Sequence, residues 1–191
     1  MKKDADIVYR YTKSKIKNLC RGDKKDVLAR LRHGAGKEPG ADPRLWDVIF
    51  NGMPQELAGY GTVPSKAERA IYGALTQFAL HQQGKDPSKD CVSCDNVSLG
   101  KAAAALIKND SDRARVTARF NTVVSGNADS VFTKIRGFIQ LLKSKNAKLD
   151  YAMLAKDLYL YQFDNESVKL KWGRDMYTAM NKKKEADNAE A

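Results

Sequence analysis

No stretch of this chain approaches the roughly 18–20 consecutive apolar residues of a membrane-spanning helix. The opening, MKKDADIVYRYTK, has cations but no apolar run behind them, so it does not read as a secretory signal and a cytoplasmic location is expected. Cysteine is scarce, with only Cys20, Cys91 and Cys94. The last two form CVSC in a polar loop, but a closed zinc site needs four ligands. The other soft candidates, Cys20, His33 and His81, are scattered, and no βαβ pattern surrounds the pair as a redox dithiol would require. Two loop thiols and no metal or other cofactor are the expectation. The two histidines lie far apart, and neither neighbours a nucleophile in sequence. Also missing are a glycine-rich phosphate loop, GxSxG, HExxH and zinc-finger spacing. Asp23, Asp42, Glu68, Asp112 and Asp150 fall at predicted caps or turns, which does not favour the converging carboxylates of a two-metal nuclease. These absences point to a binder rather than an enzyme.

What is present is helix. The chain has 191 residues, 42% hydrophobic and 30% charged, enough for one domain with a proper core or two small ones. β-Hairpin signals and internal repeats are lacking, and every strong pattern has helical period. Residues 5–20 carry an apolar line, Val8, Thr12, Ile16 and Leu19, beside a basic line, Arg10, Lys13, Lys17 and Arg21. Asp23 suits the N-cap of KKDVLARLRHG, which stops at Gly34. A loop over 34–43 leads to Asp42-Pro43, an N-cap with proline at the first helical position. The short helix that follows carries Leu45, Trp46, Ile49 and Phe50, with Trp46 expected as a core anchor. Ser65 and Glu68 form a capping box opening a long helix closed by Gly84. His81 near its end is explained by a cation at the helix C-terminus or a hydrogen bond to a free carbonyl. After a polar loop at 84–97, Ser98 or Asn96 caps a block of three amphipathic helices. Its stripes are Val116, Phe120, Val123 and Val124, then Val131, Ile135, Phe138 and Leu142. Asp150 caps the next helix, and Asp164 or Asn165 the last. Most aromatics at 151, 159, 161, 163, 172 and 177 should be core. The architecture expected is an all-α compact bundle of about eight to nine helices spanning 1–181, with any division into two packed subdomains near 84–97. Residues 182–191, with mixed charge and no apolar face, read as a disordered tail.

The formal net charge of +11 is unevenly spread. Residues 1–33 and 101–148 each carry +7, and the remainder is −3. Two basic blocks on a slightly acidic remainder suggest a polyanion partner. Nucleic acid fits better than membrane, because the basic helices lack the broad aromatic face of an interfacial anchor. Cations near helix ends and beside the apolar stripes are the candidate phosphate contacts: Arg30, Arg32, Lys66, Arg69, Lys101, Arg115, Arg119 and Arg136. Lys66 and Arg69 fall in a helix's first turn, where the dipole disfavours cations, which hints that they face an anion.

The order of motifs resembles the CasB family, the small subunit of the type I-E CRISPR surveillance complex Cascade. LRHG at 31–34 matches an early L-R-R-G. Glu68 to Gln82 matches an E-x-A helix ending in A-x-H-Q, and Ser98 to Ala102 matches S-L-G-x-A. Arg119-Phe120 and Lys134 to Phe138 match the R-F and L-R-x-L helices. Leu149 to Leu154, and Trp172 to Tyr177, match the closing L-D-Y and W-x-x-D segments. The likeness runs from about residue 26 to about residue 177. His33, Ala118 and Gly137 stand where the family often has cations, which thins the local charge. The resemblance implies an all-α, non-catalytic subunit present as two copies, beside other Cascade subunits. It further implies contact with CRISPR RNA and target DNA through backbone phosphates, and stabilisation of the R-loop with its displaced single strand. The alternative is an interaction subunit whose basic faces meet acidic protein neighbours.

If the cations track phosphates, Arg119→Ala combined with Arg136→Ala should weaken binding to all nucleic-acid sequences alike. The slope of log K against log salt should fall by about 0.7–0.9 for each phosphate no longer neutralised. Filter binding over a salt series measures both, and unchanged affinity and slope would count against these residues.

Overall fold

The computed structural model describes residues 2–189, with side chains through residue 185. Among the described residues the chain forms nine α-helices. They are α1 (Lys2–Leu19), α2 (Lys25–Gly34), α3 (Trp46–Phe50), α4 (Lys66–Gln82), α5 (Leu99–Ala105), α6 (Asp110–Val124), α7 (Val131–Ser144), α8 (Tyr151–Tyr161) and α9 (Asn165–Ala189). Two 3-10 turns, Pro43–Leu45 and Gln55–Leu57, flank α3. The one extended pairing among these residues is an isolated bridge between Ser93 and Leu149.

Helix α4 runs through the middle. It packs against α8, α2, α7 and α1, while α1 lies on α8, α5 on α9 and α6 on α7. Ile71, Ala74, Leu75, Phe78 and Ala79 are buried as the periodicity predicts, and most of the helix's other side chains are buried with them. A helix enclosed on nearly all sides is a core helix. Its polar atoms then need internal partners. Ser65 accepts from the Glu68 amide, and Glu68 accepts from the amides of Ser65 and Gly59, completing the capping box. Tyr72 donates to the Gly34 carbonyl at 2.9 Å, fixing the end of α2. Gln82 donates to the Asp90 carbonyl and accepts from the Val92 amide, fixing the loop before α5. That loop is also bonded to the start of α8, where the Asp150 amide donates to the Val97 carbonyl at 2.8 Å.

The remaining caps follow the sequence closely. Asp42, Ser98 and Asp150 each accept an amide of the first turn, and Asp164 accepts from Ser167 at the start of α9; Asn109, which the sequence reading did not single out, caps α6 in the same way. Asp23 sits one residue outside its predicted place. Lys24 occupies the N-cap of α2, and the Asp23 carboxylate takes the Lys25 amide at 3.3 Å. Four of the six clustered aromatics, Tyr151, Tyr159, Tyr161 and Trp172, are buried, while Phe163 and Tyr177 are exposed. Trp172 Nε1 donates to buried Asp157 at 2.7 Å, and Lys171 reaches the same oxygen at 3.0 Å. Burial raises the Asp157 pKa despite these partners.

The α5–α9 contact is unusually close. A Cβ on Gly100 would collide with the Trp172 carbonyl oxygen and lie 2.8 Å from the Met176 amide nitrogen, so only glycine fits. Ala102, Ala103 and Ala104 continue this smooth buried surface. Helix α9 continues to Ala189, through most of the stretch expected to be disordered; residues 190 and 191 lie outside the described residues.

Two core expectations need correction. Trp46 is half exposed, its Nε1 donating to the Gly40 carbonyl at 3.4 Å. Leu45 and Ile49, four apart, form the buried line instead, and Trp46 falls to the side of it. His81 is fully buried rather than sitting at a free helix end, and its Nδ1 pairs with the Tyr151 hydroxyl at 2.8 Å. Burial, aided by Lys85 and Lys143, lowers the His81 pKa to about 4.

A buried neutral histidine makes stability depend on pH. In the unfolded chain it takes up a proton as pH falls below about 6.5, while the folded form resists until about 4. Stability is therefore retained above the unfolded pKa and lost between those limits, by about 3 kcal/mol in full. Urea unfolding at pH 6.5 and pH 4 should show that additional loss in the wild type relative to His81→Gln. Parallel profiles would mean the imidazole is not held neutral.

Candidate nucleic-acid interface

The end of α2 and the loop after it, residues 35–39, create a meeting point for cations from separate helices. Arg136, on α7, donates to the Ala35 carbonyl at 3.3 Å. Arg69, in the first turn of α4, lies 3.6 Å from Glu38 and 3.2 Å from Asp129. Its guanidinium also sits over the Phe132 ring, 5.3 Å from the centroid, and Phe132 is one helical turn before Arg136. Gly36, Lys37, Glu38, Arg69, Phe132 and Thr133 contribute to the lining of a cleft of about 70 Å³ here. Lys66, one turn before Arg69, stands 3.9 Å from the Phe163 ring centroid and donates to the Gln162 carbonyl at 3.2 Å. Three predicted residues, Lys66, Arg69 and Arg136, therefore sit on the packed pair α4 and α7, Arg69 reaching α7 through Phe132. The first-turn conflict at Lys66 and Arg69 is relieved inside the chain by acidic and aromatic neighbours.

Those neighbours hold the cations weakly. The Arg69 side chain is 26% exposed, and its partners Glu38 and Asp129 are 68% and 78% exposed. Ion pairs in such settings contribute about 0–1 kcal/mol and are screened by salt. A phosphate offers two or more charged acceptors in the fork geometry guanidinium prefers, so exchange is inexpensive.

The other predicted residues are dispersed. Arg30 bonds the Asp26 and Arg44 carbonyls at 3.4 and 3.3 Å. Arg32 lies on the last turn of α2, half-buried, and its backbone carbonyl accepts from the Ala35 amide at 3.2 Å. Lys101 turns back to the Asn96 carbonyl at 3.0 Å, and Arg115 pairs with Asp112 at 2.5 Å within its own helix. Arg119 is exposed on α6 beside buried Phe120, which packs edge-to-face on Phe138 of α7.

Sequence reasoning overlooked a second basic cleft. It has a volume of about 170 Å³ and lies between the α5–α6 turn and α9. Lys108, Arg113, Lys183 and Lys184 line it, against one acid, Asp110. Lys183 Nζ donates to the Ile107 carbonyl at 2.9 Å, joining the two sides. The run NKKKE is the available signal, but in sequence it is hidden by its place at the start of a segment with the composition of a disordered tail.

The cysteines also group differently from the expected CVSC pair. Cys91 is half-buried against Cys20, with the sulfurs 2.8 Å apart, whereas Cys94 is exposed. Among the described residues no three His, Cys, Asp or Glu side chains gather as a metal site. No described helix is long and apolar enough to cross a membrane.

This all-α arrangement is shared by solved proteins. CasB from Thermobifida fusca superposes with a TM-score of 0.72 at 25% identity, covering 89% of this chain and 97% of that one. CasB from Thermus thermophilus gives 0.68 at 21%, covering 90% and 98%. A chain of a CRISPR RNA-guided surveillance complex gives 0.73 at 19%, covering 94% and 99%. The model of the CRISPR-associated protein Cse2 family matches residues 27–177, and the chain belongs to that family. That span coincides with the likeness drawn from the motifs. No curated protein matches the chain.

Proposed function

We propose that this chain is a non-catalytic, nucleic-acid-binding subunit of a Cascade-type surveillance complex. It tracks the phosphate backbones of CRISPR RNA and target DNA and stabilises the R-loop in antiviral defence. It works beside the other Cascade subunits and a second copy of itself. The family membership and the fold shared with a chain of such a complex support the setting. The observation that supports the binding role is the presence of Lys66, Arg69 and Arg136 on the packed pair α4 and α7, held by aromatic, carbonyl and exposed acidic partners. In such a complex base pairing reads the sequence, so the protein needs cations at intervals and no base-reading motif. The cleft of Lys108, Arg113, Lys183 and Lys184 supplies a second phosphate-tracking surface.

The other reading, that the basic faces meet acidic proteins, predicts no nucleic-acid binding by the isolated chain at low salt. On the binding reading, Lys66→Ala, Arg69→Ala and Arg136→Ala together should reduce affinity for single- and double-stranded DNA about 10–1000-fold, on the order of 0.5–1.4 kcal/mol per side chain. The salt slope should fall by about 0.7–0.9 for each phosphate no longer neutralised. Glu38→Gln with Asp129→Asn should raise affinity a few-fold by releasing Arg69. Fluorescence anisotropy over a salt series with two unrelated sequences measures all of this. Equal affinities and slopes for wild type and the triple variant would refute the assignment.

A further inference from the structure

Cys20 and Cys91 are 71 positions apart in sequence, yet their sulfurs stand 2.8 Å from each other. Each backbone is held in place independently. Cys20 follows the last turn of α1 and its amide donates to the Ile16 carbonyl at 2.9 Å. Cys91 precedes buried Val92, whose amide donates to Gln82 of α4 and whose carbonyl accepts from the Leu149 amide. The ion pair of Lys13 with Asp95, at 2.6 Å, ties the same loop to α1 a second time. A disulfide bond is about 2.05 Å long, so closing this pair asks for less than about 1 Å of sulfur movement. Cys94 is placed differently: its sulfur is exposed and 3.9 Å from the Asp95 carbonyl.

We propose that Cys20 and Cys91 are an oxidation site that forms an intramolecular disulfide on reaction with a low-molecular-weight disulfide, clamping α1 to the loop before α5. Cys91 is the attacking group. The hydrogen bond from the Cys20 thiol, with help from nearby Lys148, lowers its pKa to about 7, while the same contact raises that of Cys20. The Cys91 thiolate attacks one sulfur of the reagent and expels one thiolate, leaving a mixed disulfide. Cys20 then gives up its proton, and its sulfur attacks the Cys91 sulfur, expelling the second thiolate, which takes up a proton. Two protein thiols lose two electrons and two hydrogens, and one small disulfide becomes two small thiols. The bond depends on neither the nucleic-acid role nor any bound partner.

The test uses the full chain incubated with oxidised glutathione, quenched with an alkylating agent and digested with trypsin without reduction. Cleavage leaves Cys20 in residues 18–21 and both Cys91 and Cys94 in residues 90–101. The expected product is the cross-linked pair of these peptides, with the intact protein lighter by two hydrogens. The cross-link should persist in Cys94→Ser and vanish in Cys91→Ser. A bond closing so long a loop should also raise Tm by about 5–15 °C, reversibly with dithiothreitol. Glutathione adducts without the cross-link, or a Cys91–Cys94 bond as the main product, would overturn the proposal.

Discussion

The enclosure of α4 is the constraint on which the rest of the molecule depends. A helix surrounded by α1, α2, α7 and α8 contributes its apolar area on every side. Surrounding it is favourable when the polar atoms it carries find partners inside the protein. The Ser65–Glu68 box, Tyr72 to Gly34, His81 with Tyr151, and Gln82 with the 90–92 backbone meet most of that demand, while Gln77 Oε1 and His81 Nε2 are buried without a partner among the described residues. Each of these bonds also fixes the position of a neighbouring segment. The polar exceptions of the core helix are thus the contacts that assemble the shell around it.

Enclosure also decides where charge can appear. With its middle buried, α4 presents its cations in the first turn, at Lys66 and Arg69. The loop after α2, held there by Tyr72, brings Glu38 to Arg69 and the Ala35 carbonyl to Arg136. The convergence of Arg69 and Arg136 on this loop is therefore a by-product of how the core closes. The acidic partners of Arg69 are exposed, whereas Arg136 is held by the carbonyl of buried Ala35.

Local features are legible in the sequence because their physics is local. The caps at Asp42, Ser65, Ser98 and Asp150, and the stripes of α1, α6 and α7, depend on residues within a turn or two. Convergence over long separations leaves no such trace. Arg69 and Asp129 are 60 residues apart, and Arg136 and Ala35 are 101. The same limit explains Cys91, which meets Cys20 rather than its sequence neighbour Cys94, and His81, whose partner Tyr151 is 70 residues away. Trp46 departs from expectation for another reason: in so short a helix one residue of phase separates the buried line from the surface.

The contact at Gly100 sets how near two helices can come. The Trp172 carbonyl and Met176 amide rest against a residue with no side chain. Lys183 and Lys184 lie seven and eight residues beyond Met176, about 10–12 Å along the axis. Helix α9 is thereby seated close enough to the α5–α6 turn for Lys183 to bond the Ile107 carbonyl. A methyl group on α5 would have to displace α9 at the seam from which both walls of the basic cleft extend.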